Sequence, residues 1–408
     1  MIDDLLCVTE CGFKTTSANA FITFKTDSKK LQFGANKCKK MHVGNKRENF
    51  KCQELKVDNW EEVEIKNDET GVEDIKDVCN GEITMEEKQE EKYLGDIIST
   101  DGKNIKNIKA RVARGKGIIS RIVTILEGIF VGKFYFEVAL MLRNSLLISS
   151  MLVNTEAWYN ITKAELNLLE TIDVQFLRSV LKAPKCTPTE MLYLELGCVP
   201  FRHLIIKRRI MFLHYILNEN KNSMIYRFLM AQIKKQSKND WISQVQNDLK
   251  KLDMNENLEV LKEMKRSKLK IKLDRLIRNS AFQELISKKE AHSKVKNITH
   301  KKYEIQNYLK ANQTKITQEE AREIFKMRCM VSDVKGNFKW KYENVNCENC
   351  EEEEDQEHII SCNMIKDSKK EEMPRYDEIL KNNVKNQIQI AKKFIENMKI
   401  RKKMINSI

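Results

Sequence analysis

Residues 93–121 read YLGDIISTDGKNIKNIKARVARGKGIISR and join a short strand-and-turn segment to a long helical remainder. Tyr93-Leu94-Gly95-Asp96-Ile97-Ile98 mixes aromatic and β-branched residues and runs into Thr100-Asp101-Gly102, the pattern of a strand that stops at a turn. A helix is expected from Lys103, because Ile105, Ile108, Val112 and Ile119 recur at helical spacing. Its bases are Lys103, Lys106, Lys109, Arg111, Arg114, Lys116 and Arg121, with no acid between them. One face can bury while the other is cationic. A solvated face is the ordinary reading of such a run. A face without carboxylates also suits a phosphate backbone, so these residues are candidate contacts to RNA or DNA.

The totals agree with a helical chain that meets an anionic partner. With 408 residues there is room for two or three domains, and a net charge of +14 favours nucleic acid or another anionic surface. Only 4 prolines and 13 glycines punctuate the sequence, so long helices are expected and a sheet-rich sandwich is not. The expected fold class is mainly α, with a small amino-terminal β portion. Met1-Ile2-Asp3-Asp4 is acidic where a secretory signal would be basic. The most apolar stretch, 134–158, carries Glu137, Arg143 and Glu156 and reads as a buried helix, not a membrane span. The 11 irregularly spaced cysteines then imply reduced thiols, hence an intracellular protein, nuclear or cytoplasmic, with no membrane partner.

In chain order, Asp3 and Asp4 precede the apolar run Leu5-Leu6-Cys7-Val8, which suits a buried strand. A helix is expected over about 15–30, a turn at Gly34 and Asn36, and a strand over 37–43. Residues 45–92 are polar and dense in acid towards their end, the composition of a surface loop. Helices should then continue, interrupted near Gly128 and Asn160. Thr162 and Glu165 have capping-box spacing, and Leu166, Leu169, Ile172, Phe176 and Val180 mark the buried face of the helix they open. A second start at Thr187-Pro188-Thr189-Glu190 closes at Gly197, and a third capping pattern is Thr317 with Glu320.

Further bases cluster at Arg202, Lys207, Arg208 and Arg209, and again over 262–278, where eight bases meet two acids. Either cluster reads as a solvated face or as a phosphate contact. Phe134, Tyr135, Phe136, Trp158 and Tyr159 suit core packing better than base stacking, and His203 and His214 read as packing residues.

Cys347, Cys350, His358 and Cys362 form C-x2-C-x7-H-x3-C. Three thiolates and one imidazole complete a tetrahedral zinc shell with no open position, so a metal here is expected to be structural. The intervening run 351–357, EEEEDQE, would repel phosphate, and it suggests a brace for the fold or a basic protein partner.

Met1-Ile2-Asp3-Asp4, Asn36-Lys37-Cys38-Lys39 and Tyr93-Leu94-Gly95, in that order, resemble the last palm motifs of a non-LTR retrotransposon reverse transcriptase. FEVALMLRNSLLISSMLVNTEAWYN, TPTEMLYLELG and FRHLIIKRRIMFLHYIL resemble the thumb and following region of that family. The resemblance implies RNA-directed DNA synthesis, with Asp3 and Asp4 presented on a hairpin and Asp3 sharing two magnesium ions with an aspartate from an earlier strand. It implies that Lys37 protonates the leaving group, that Tyr93-Leu94-Gly95 is a turn near the primer, and that a zinc knuckle follows the thumb. On this reading 1–102 is a partial palm with a polar insert at 45–92, 103–222 a thumb-like domain, 223–340 a helical extension, 341–366 the knuckle and 367–408 a basic helical tail. No residue here matches the earlier aspartate strand or the fingers, so catalysis by these residues alone is not expected. The alternatives are a non-enzymatic nucleic-acid-binding protein of retroelement origin and a helical scaffold for protein partners.

Overall fold

The computed structural model describes residues 39–40, 56–66, 73–84, 86–93, 95–128, 134–158, 160–235, 237, 240–254, 257–310, 316–348, 350–362, 373–381 and 383–405. The expectations for Asp3, Asp4 and Lys37 fall outside these residues, as do Leu94 and Tyr159. The chain divides into two compact units, Met1–Lys109 and Ala110–Ile408.

The first unit contains paired strands, one long hairpin-like pair and two short ones. They are β1 (Lys39–Lys40), β2 (Lys56–Lys66), β3 (Glu73–Thr84), β4 (Glu86–Glu87), β5 (Glu90–Tyr93) and β6 (Asp96–Ser99). β1 runs parallel to β4, β2 antiparallel to β3 with Lys66 opposite Glu73, and β5 antiparallel to β6 with Tyr93 opposite Asp96. The region expected as a surface loop therefore carries most of the strands. Val63 and Ile65 alternate with Glu62, Glu64 and Lys66, a period of two that the density of charge concealed. The single strand expected over 93–98 is instead two strands reversing between Tyr93 and Asp96. Gly95 adopts φ 87°, the left-handed conformation such a tight reversal asks of one residue. The turn at 100–102 stands as expected: the Gly102 N–H donates to the Ser99 carbonyl at 3.0 Å, and the Lys103 N–H to the Asp101 carboxylate at 3.0 Å.

Helices make up most of the remaining chain. α1 (Ile105–Gly128) buries Ile108, Ile119, Ile122 and Leu126 on one side. A Cβ on Gly115 would lie 2.8 Å from both Ile172 and Met151, so α1 packs there at a distance only glycine permits. α2 begins as Tyr135–Leu142 and continues through a π-helical turn, Arg143–Ile148, into Ser149–Met151. The turn carries Arg143, whose guanidinium donates to both oxygens of buried Asp173 at 2.7 and 2.6 Å, while the Tyr193 hydroxyl donates to the same carboxylate at 3.1 Å. A buried pair this completely bonded resists being parted, because removing either side strands a charge.

α3 (Lys163–Leu181) starts at the Thr162–Glu165 capping box, and Leu169, Ile172, Phe176 and Val180 are buried as its spacing predicts. α4 (Thr189–Leu196) starts directly after its cap residue Pro188 and ends at Gly197 with φ 64°. Gly197 is doubly constrained, since a Cβ would lie 2.4 Å from the Glu304 carbonyl carbon. α5 (Phe201–Leu217), α6 (Met224–Lys235), α7 (Trp241–Lys251), α8 (Leu258–Glu263) and α9 (Arg266–Glu290) enclose a core that includes Ile210, Leu213, Trp241, Val245, Leu269 and Leu273. α10 (Gln318–Arg328) has the expected Thr317–Glu320 box, and α11 (Gln356–Ser361) and α12 (Val384–Ile405) complete the chain.

Distant segments are joined at Glu195 on α4. Its carboxylate accepts from Arg328 Nε and Nη2, both at 3.1 Å, from the Tyr308 hydroxyl at 2.6 Å, and lies 3.0 Å from His300 Nε2. Burial pushes this carboxyl up, yet Arg328, His300 and Tyr308 outweigh that effect and hold it down at about 2. Among the described residues, no helix is long and apolar enough to cross a membrane.

Candidate functional site

The strongest site is built by the residues just before α11 and by α11 itself. A tight loop returns the chain after Cys347: the Glu351 N–H donates to the Cys347 carbonyl at 3.0 Å, and the Cys347 N–H to the Glu352 carbonyl at 2.7 Å. Asp355 caps α11 by accepting from the His358 N–H at 2.7 Å. His358 and Cys362, four residues apart, then fall on one face of that helix.

The donor atoms of Cys347, Cys350, His358 and Cys362 lie within 4.8 Å of one another. Cys350 Sγ is 3.8 Å from Cys362 Sγ and 3.3 Å from His358 Nε2. A tetrahedron with Zn–S bonds of about 2.3 Å has edges of about 3.8 Å, so the spacing matches that of a tetrahedral shell. His358 Nδ1 lies 3.0 Å from the Glu352 carboxylate, which leaves Nε2 to face the thiols. These four residues can hold a metal such as zinc. With all four positions taken by protein, the ion would brace the fold and leave no place for a reacting water.

The module is fixed to α12. Ile400 packs against the cysteines, Asn397 Nδ2 donates to the Ile359 carbonyl at 2.7 Å, and Arg401 pairs with fully buried Glu354 at 2.6 Å. The carboxylates expected to repel phosphate are partly engaged: Glu353 with Lys339 at 2.6 Å and Glu352 with His358, while neighbouring Glu348 pairs with Lys335 at 3.0 Å. Glu351 and Glu357 stay exposed without a cationic partner among the described residues. Nothing in a run of four consecutive glutamates distinguishes Glu352 or Glu354 from its neighbours.

The basic candidates separate by environment. On α1 and just before it, Lys103, Lys106, Lys109, Arg114, Lys116 and Arg121 are exposed, and Lys106 pairs with Glu90 at 2.7 Å. Arg111 does not belong with them. It is 1% exposed, donates to the Met151 carbonyl at 2.8 Å, and lies 4.5 Å from the centre of the Trp158 ring. Helical spacing turns it to the apolar side, and the indole covers its charge.

Arg202, Lys207, Arg208 and Arg209 on α5 are also engaged inside the protein. Arg202 meets Glu170 at 2.8 Å and Glu284 at 3.0 Å, Lys207 pairs with Asp274, and Arg208 lies 3.7 Å from Glu156. Arg209 pairs with Asp248 at 2.7 Å, and both are buried. The carboxylates come from α3, α7, α9 and the segment after α2, so no local pattern could have shown the pairing. His203 and His214 are both buried, but each has a polar partner the sequence did not show: His203 Nε2 lies 3.3 Å from Glu284 and His214 Nε2 2.8 Å from the Met264 carbonyl. Tyr135, Phe136 and Trp158 are core, while Phe134 is exposed. Tyr93 closes β5 and Gly95 carries the turn conformation. No family model, no curated protein and no solved structure matches the chain.

Proposed function

We propose that this chain binds RNA or DNA and descends from, or forms part of, a retroelement reverse transcriptase. Its thumb-like helices hold template or primer, and its Cys347–Cys362 module holds a structural zinc ion. The observation that carries the reading is α1. Arg114, Lys116 and Arg121 are exposed, have no ion-pair partner among the described residues, and share their helix with no exposed acid until Glu127. Such a surface neutralises phosphates and gains affinity by releasing their counterions. The ordered motifs ending in Tyr93-Leu94-Gly95 support the lineage, and the knuckle position after the helical body agrees with it.

Binding of a labelled primer–template duplex tests the proposal. Arg114→Ala, Lys116→Ala and Arg121→Ala combined should weaken binding about tenfold or more while the melting temperature stays put, because all three side chains lie on the surface. Equal binding by the triple variant and the parent ends the proposal. Primer extension with magnesium separates binding from synthesis, and no extension by these residues alone is expected.

A further inference from the structure

α9 begins with its charges in the wrong order for its own stability. Lys265 caps it, Arg266 and Lys268 lie in its first turn with no acid in that turn, no side chain caps the free N–H groups, and exposed Glu263 lies two residues before the cap. The amino-terminal end of a helix carries partial positive charge, so each of these cations is repelled by the helix it starts. Lys262 at the end of α8, and Lys270 and Arg275 on the first half of α9, add to the positive charge there, and all six bases are exposed.

Two of the three carboxylates on the helix, Asp274 and Glu284, reach across to α5. Asp274 pairs with Lys207, and Glu284 with Arg202 and His203, all on α5. Arg275 lies seven residues from Lys268, so the two share a face, and that face is turned away from Asp274. Lys265, Arg266, Lys268, Lys270 and Arg275 have no ion-pair partner among the described residues. The corner between α8 and α9 is also held firmly. His214 Nε2 contacts the Met264 carbonyl at 2.8 Å, and Asn218 Nδ2 donates to the Lys262 carbonyl at 3.2 Å.

We infer that the α8–α9 corner, Lys265, Arg266, Lys268 and Arg275, is a second phosphate-backbone seat, separate from α1. It rests on the nucleic-acid reading above and locates a further contact. A polyanion there reverses the sign of every interaction just described: it meets the cations, the unsatisfied N–H groups and the helix dipole together. Because the corner is already pinned to α5, little ordering is needed when the strand arrives.

The test compares the full chain with Lys265→Ala, Arg266→Ala and Lys268→Ala combined. Melting temperature, and affinity for a duplex of about 20 base pairs, are followed across a salt series. Removing three repelled cations should raise the melting temperature by roughly 2–4 °C. The same change should weaken duplex binding at least about tenfold and flatten the salt slope by about 0.9 per lost contact. A triple variant that binds the duplex as the parent does, while the α1 triple variant binds poorly, overturns this seat and leaves α1 standing. A parent chain that binds no duplex overturns both. Preferential binding of phosphatidylserine vesicles over duplex, lost in the α9 variant, would assign the corner to a lipid surface and overturn the inference.

Discussion

His358 Nδ1 lies 3.0 Å from the Glu352 carboxylate, so the imidazole presents Nε2 to the three thiols of Cys347, Cys350 and Cys362. A carboxylate in that position fixes the tautomer and raises the basicity of the ligating nitrogen. Glu352→Gln should therefore lower zinc affinity by about 10–100-fold, read by competition with a chromophoric chelator. Unchanged affinity would mean that the pair is incidental.

Zinc removal should be felt along α12, because Ile400, Asn397 and Arg401 all contact the module. Chelation, or Cys350→Ser, should lower the melting temperature and speed amide exchange first in α12 and α11. Structural zinc contributes apparent free energies of about 10–16 kcal/mol in small peptides, and part of that is available here to order the module. Exchange that accelerates uniformly across α3, α5 and α12 would contradict a local brace.

Glu195 makes stability depend on acid. Its folded-state pKa of about 2 lies below the usual carboxylate value, so its contribution is present above pH about 4.5 and is lost as pH falls towards 2. Glu284, held down by the His203 hydrogen bond ahead of Lys288 and Arg202, adds to the same window. Glu195→Gln should cost roughly 3–5 kcal/mol at neutral pH, since it leaves Arg328 buried without its counter-charge, and should make the acid limb shallower. Denaturant titrations at several pH values measure both effects.

Arg111 offers a control for the surface bases. Arg111→Ala removes the donor to the Met151 carbonyl and uncovers Trp158, so it should cost roughly 2–4 kcal/mol of stability. Nucleic-acid affinity per folded molecule should be unchanged. A loss of affinity without loss of stability would return Arg111 to the binding surface.

The features legible in the sequence are local ones. The Thr162 and Thr317 caps and the Gly197 stop depend on residues within a few positions, the Cys347–Cys362 spacing on residues within fifteen, and all are found. Arg202, Lys207 and Arg209 could not be read as engaged, because Glu284, Asp274 and Asp248 approach them from 82, 67 and 39 residues away. Glu195 is hidden for the same reason: it is one more charge on α4 until His300, Tyr308 and Arg328 close around it. Arg111 is legible in principle, since it lies three residues after Ile108 and eight before Ile119, close to the apolar stripe.

The nucleic-acid reading is tested most directly by measuring the affinity of the unaltered chain for a primer–template duplex between about 50 and 200 mM salt. Contacts to six or more phosphates through α1 and α9 predict a loss of roughly a thousandfold across that range, linear in the logarithm of salt concentration. An affinity that stays flat, or an absence of binding at the lowest salt, would contradict it.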